Sequence, residues 1–207
     1  DEYLESRGID VKVPPISILD EDFESQVGKH KRTKTKAAEI EHAIRHHLDV
    51  DLDDDPDLQA SFTEALARIF EEFRDNWQRI YEELEKLRQR IRNASREPTY
   101  GLDRKKQMPF FRMFRRELFG DGELTEDQIA QMVDLTQQIF NIVERELKLT
   151  GFWESIPARN RLKAELQRTL VQPEFVTLPG VVRNRARLIS RMMEIAEKNN
   201  DAILYAE

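Results

Sequence analysis

Cysteine is absent from this 207-residue chain, which excludes disulfides, thiolate metal sites and thiol nucleophiles. Nothing asks for an oxidising compartment, and the cytoplasm is the expected one. No apolar run approaches the roughly 18–20 residues of a membrane span, so no membrane contact is expected. The opening "DEYLESRGID" resembles neither a signal peptide nor a start at methionine, as expected of a piece of a longer chain. Gly-x-Gly-x-x-Gly, Walker sequences, a nucleophile elbow and internal repeats are all missing. The four histidines all lie within residues 30–47, too clustered to serve a defensible Ser/His/Asp triad. A chain of this length can bury a core without a structural metal, so stability demands no cofactor.

Glycine is also scarce, at 7 residues, while Glu, Arg, Leu, Lys and Ala abound and 35% of residues are charged. That profile predicts an all-α protein. The net charge of −7 conceals blocks of opposite sign. "KHKRTKTK" at 29–36 is basic, "DVDLDDDPD" at 49–57 is acidic, and from Arg88 to Arg116 ten Lys/Arg face only Glu97 and Asp103. Segregation of this kind fits either solvated faces or patches that dock a partner or a polyanion.

Residues 1–34 are predicted to form an irregular lead-in, since the pair Pro14-Pro15 forbids regular helix. Residues 35–207 form the predicted helical domain. From Thr35 onward Ala37, Ile40, Ile44 and Leu48 share one face. Asp55-Pro56 restarts the helix, with Asp as N-cap and Pro at the first helical position. Apolar residues then recur in steps of three and four from Leu58 through Phe62, Leu66, Ile69, Phe73, Trp77, Ile80, Leu84 and Leu87 to Ile91. This predicts one helix of about 40 residues, on the order of 55–60 Å long, as the spine of the domain. A short aromatic helix follows Pro109, carrying Phe110, Phe111, Phe114, Leu118 and Phe119. "LTEDQI" is a capping box, Thr125 with Gln128, flanked by Leu124 and Ile129 as a hydrophobic staple. It opens a helix to about Leu149, with Gly151 as its cap. Pro157 opens another with Leu162, Leu166, Thr169 and Leu170 on its inner face, and a last helix spans 181–199 through Val182, Arg185, Leu188, Ile189, Met192 and Ile195.

Three histidines within six residues and six aspartates within nine, in "EIEHAIRHHLDVDLDDDPDLQASF", raise the question of a metal. His42 and His46 stand at i, i+4, a spacing that can share zinc, with Asp49 as a conceivable third ligand. Metalloprotease chemistry needs Glu directly after the first His, and Ala43 stands there. Asp49, Asp51 and Asp53 have calcium-loop spacing, but the required glycine is Asp54 and the bidentate carboxylate is Ala60. The simpler reading is a helix with surface histidines followed by an acidic connection. "PFFRMFRREL" mixes Phe with Arg112, Arg115 and Arg116, a combination that stacks on single-stranded nucleic acid, although the Phe positions also follow a core stripe. "KHKRTKTK" and "RNRAR" at 183–187 could hold phosphate. The carboxylates mostly stand at i, i+4 from Lys or Arg, as in "EELEKLRQR", where they form solvated pairs.

The run "KAAEIEHAIRHHLDVDLDDDPDLQASFTEALARIFEEFRDNW" resembles the start of the C-terminal helical domain of the R subunit of type I restriction enzymes. The shared elements are Ile40-Glu41-His42-Ala43-Ile44-Arg45, the turn Asp55-Pro56 and Asn76-Trp77 at the end of the long helical run. "YGLD…MPFFRMF" and "LTGFWESIPARNRLKAELQRTL" extend the resemblance in weaker form. Gly151-Phe152-Trp153 departs from it, since the family places an acidic residue before the tryptophan. The resemblance implies a non-catalytic domain that docks the motor and nuclease subunit on a methyltransferase of M and S subunits. The lead-in would then pack on or link to the preceding motor domains of the same R subunit. ATP and magnesium would belong to the motor and nuclease domains, so no cofactor is expected in this chain. The candidate interaction residues are Arg45, His46, Asp53, Asp54, Arg112, Arg115 and Arg116. The alternative is a DNA-contacting module that uses Arg88–Arg116 to guide duplex at the motor.

Overall fold

The structure, a computed structural model, describes residues 17–52, 55–120 and 122–205. The Pro14-Pro15 stretch, Asp53 and Asp54 lie outside them. As the composition predicts, the fold is all-α, with nine helices and no strand among the described residues. The chain divides into two compact units, residues 1–53 with 58–97, and residues 54–57 with 98–207.

The first unit contains α1 (Phe23–Gly28), α2 (Thr33–Val50), most of α3 (Pro56–Phe73) and α4 (Trp77–Ser95). α2 packs chiefly on α4. Ala37, Ile40, Ile44 and Leu48 on one helix and Ile80, Leu84, Leu87 and Ile91 on the other recur every three or four residues, and all are buried. Stripes of this kind bury one face each, at about 1.5–3 kcal/mol per large aliphatic side chain. Phe62, Leu66 and Ile69 of α3 join the same core, and the Gln59 side chain donates to the Leu48 carbonyl at 2.9 Å.

The single helix predicted over 56–94 is corrected to two. Arg74 has φ +38°, in the left-handed region, and its N–H bonds to Phe70 O at 3.1 Å as α3 ends. Asn76 then caps α4, its side chain accepting from the Arg79 N–H at 3.2 Å. The break lets the stripes before and after it enter one core. A continuous helix would carry the later stripe well past α2, whose 18 residues span about 27 Å.

Residues 17–34 are more ordered than the irregular lead-in predicted for them. Phe23 and Val27 of α1 belong to the core of α2 and α4, and Arg88, 0% exposed, fastens the segment there. The Arg88 Nε donates to Glu85 at 3.0 Å, one Nη to the Ile18 carbonyl at 3.4 Å and the other to Glu24, while its guanidinium stands 5.1 Å from the Phe23 ring. Every nitrogen of a buried cation is thereby used, as burial demands.

The second unit contains α5 (Met108–Phe119), α6 (Glu126–Leu147), α7 (Ile156–Leu170), α8 (Arg185–Lys198) and α9 (Asn200–Tyr205). α6 packs on α5 and α7, both of which pack on α8. The capping box forms as predicted, with Gln128 N–H on Thr125 Oγ1 at 3.2 Å and Thr125 N–H on Gln128 Oε1 at 2.9 Å. Phe110, Phe111 and Phe114 are buried, so the aromatic helix serves the core. Gly120 ends it with φ +60°. The last predicted helix starts later and ends sooner than 181–199, and residues 181–184 form a turn with Val181 buried and Val182 exposed.

Arg88→Ala is expected to cost about 2–4 kcal/mol of unfolding free energy in urea titration, below the full figure for a broken buried pair because Glu24 is 62% exposed. Arg90→Ala, on the exposed face of α4, should stay within about 0.5 kcal/mol.

Candidate interaction site

Helix periodicity distributes the four histidines to different environments. His46 is exposed, as predicted, but His42 is half-buried and its Nε2 is buried without a hydrogen-bond partner. His47 is buried, with Nδ1 2.6 Å from Asp51 Oδ2. At 100° per residue it follows Ile40 by seven and Ile44 by three, a position on the core stripe that the sequence reading passed over. His30 pairs instead with Glu39 at 2.5 Å. Asp49 is exposed, and no group of three His, Asp or Glu close enough to hold a metal occurs among the described residues.

The polar residues of the family-like run hold the fold. Glu41 is 5% exposed, and its Oε1 accepts from Nε and Nη2 of Arg45 at 3.1 and 3.0 Å. Asp55 is 2% exposed and accepts from Arg112 Nη1 at 2.5 Å. Arg112, a candidate interaction residue, is therefore mostly buried and committed to this carboxylate, while Arg115 is half-buried and Arg116 exposed on α5. In "YGLD", Tyr100 and Gly101 take φ +53° and +83°, and the turn delivers Leu102 to the core.

Within the basic stretch Arg88–Arg116, Arg88 is interior, and the boundary between the two units falls at residues 97 and 98. Within its loop, Asp103 Oδ1 accepts the N–H groups of Lys105 and Lys106 at 2.9 and 2.7 Å, an Asx turn that fixes the backbone there. A denser cationic region lies in the second unit. Arg159, Arg161, Lys163 and Arg168 on α7 and Arg183, Arg185, Arg187 and Arg191 nearby in sequence stand against two carboxylates, Glu165 and Glu174. Arg161 pairs with Glu146, Arg187 with Glu117 and Arg191 with Glu194, whereas the side chains of Lys163 and Arg185 pair with no described residue. The sequence reading noted "RNRAR" and the inner face of α7 but did not single out its other face, where Asn160, Lys163, Ala164 and Gln167 at i, i+3, i+4, i+7 mark a polar and small stripe.

Against known protein families, curated proteins and solved structures, the chain finds no match.

Two titrating groups illustrate the local electrostatics. Burial pushes the Tyr81 phenol up, helped by the Glu85 and Glu24 carboxylates, and a hydrogen bond from Gln78 draws the Glu82 carboxyl down. Both displacements lead away from neutral pH, the opposite of what a proton-transfer group needs.

Asp55→Asn and Arg112→Gln should each lower stability by about 2–4 kcal/mol, and the double variant by about 1–3 kcal/mol less than their sum, in a urea-denaturation cycle.

Proposed function

We propose that this chain is the C-terminal helical domain of a type I restriction enzyme R subunit, and that it docks the translocating and cleaving subunit on the M and S methyltransferase subunits. One observation carries the reading beyond the resemblance. Glu41 and Asp55, the conspicuous carboxylates of the family-like run, are buried and spent on Arg45 and Arg112, as expected where a signature encodes a helix junction rather than a reaction. His46, exposed on α2, and the acidic pair Asp53 and Asp54 of the sequence remain the proposed contacts. No step of catalysis is assigned to this domain.

The second reading, contact with duplex DNA, draws support from the cationic region of α7 and residues 183–191 rather than from Arg88 and Arg112. Phosphate contacts would announce themselves in a steep fall of affinity with salt, since each releases counterions.

Size-exclusion chromatography with light scattering of the chain mixed with its methyltransferase is expected to give one co-eluting species. Asp53→Lys with Asp54→Lys should slow the association several-fold at low ionic strength. Separate elution at moderate salt, together with salt-steep binding to duplex DNA, would replace the docking reading with the second one.

A further inference from the structure

Among the described residues of the first unit, Arg74 alone is a non-glycine with left-handed backbone, at φ +38°. Such strain persists only where the surrounding structure imposes it. The turn's own side chains do not impose it. Arg74, Asp75 and Asn76 are all exposed, Arg74 and Asp75 form no ion pair or side-chain hydrogen bond among the described residues, and Asn76 contributes only its cap on Arg79. The core imposes it, because the stripe of α4 must turn back to meet α2. Locally the sequence favours helix there. No glycine or proline occurs from Asp57 to Ser95, and Ile69, Phe73, Trp77 and Ile80 keep helical spacing across the break.

α3 and α4 have 18 and 19 residues, and α2 has 18. Joined as one helix, α3 and α4 are about twice the length of α2, so the α2 of one copy covers only half of their stripe. A second copy has an identical α2 for the other half. Exchange of everything after the turn restores the core contacts of α4 between chains. The bonds of Arg88 to Glu24 and the Ile18 carbonyl, and of Arg112 to Asp55, re-form in the same way, because their partners lie on opposite sides of residue 74. Only the strained turn is lost, and short strained connections are what favour exchange between copies.

We propose that Arg74–Asn76 is a hinge through which two copies of this chain exchange the segments that follow it, with α3 and α4 running on as one helix in the dimer. The exchange needs no methyltransferase and is separate from the docking role.

The full chain, refolded from urea at a series of concentrations and sized by chromatography with light scattering, is expected to give a dimer whose share rises with concentration. Asp75→Ala with Asn76→Ala removes the cap and two turn-favouring residues, and should lower the dimer dissociation constant about tenfold. Arg74→Gly relaxes the turn and weakens the continuous helix, and should raise that constant by about the same factor. Cross-linking separates exchange from association through a surface. Chains carrying Glu24→Cys alone and Gln89→Cys alone are refolded together, since these two side chains stand 3.3 Å apart. With no other cysteine present, oxidation is expected to link the two chains only in the exchanged dimer. Both substitutions in one dilute chain should close an internal disulfide, which checks that they fold and react. A monomer at every concentration and in both hinge variants, a dimer share indifferent to the hinge, or a dimer that does not cross-link would each overturn the proposal.

Discussion

Asp55 is 2% exposed, and a carboxylate that deep needs a cation at hydrogen-bond distance to offset its lost hydration. Arg112 provides it from α5, 57 residues further along the chain. Residues 54–57 consequently group with residues 98–207, although their neighbours on both sides belong to the first unit. Pro56 follows at once and, lacking an N–H, starts α3 at no cost in hydrogen bonds. Arg88 has the corresponding role inside the first unit, where its bonds to the Ile18 carbonyl and to Glu24, with the Phe23 ring beside its guanidinium, bring residues 17–28 onto α4.

These pairs also explain which parts of the fold were legible in sequence. Local signals were read well: the Thr125–Gln128 box, the stripe of α2 and the buried face of α7 all depend on residues within a turn or two of each other. The break at Arg74–Asn76 was missed because Ile69, Phe73, Trp77 and Ile80 keep helical spacing straight across it, with no glycine or proline to mark the turn. Asn76 was the available clue, as a strong N-cap immediately before Trp77. The burial of Arg88 had no local clue, since Glu24 lies 64 residues away.

The same distinction separates the charges. Sequence reading selected cations by density and so chose Arg88–Arg116, a stretch in which Arg88 and Arg112 turn out to be interior. Lys163 is flanked by Leu162 and Ala164 and looks unremarkable in the chain, yet it stands exposed at a groove without a counterion. A cation's availability follows from the carboxylates that the fold brings to it, and only the helix packing decides that. What a partner can meet on this protein is therefore the remainder after the fold has used its own charges.

Arginine side-chain nitrogen NMR tests that division most directly, because a guanidinium held by several bonds rotates slowly about Nε–Cζ and shows separate Nη signals. The account predicts slow rotation and resolved Nη signals for Arg88 and Arg112, with averaged signals for Arg183 and Arg185. Averaged signals from Arg88 and Arg112 alike would contradict it, and would return both cations to the surface that a partner can reach.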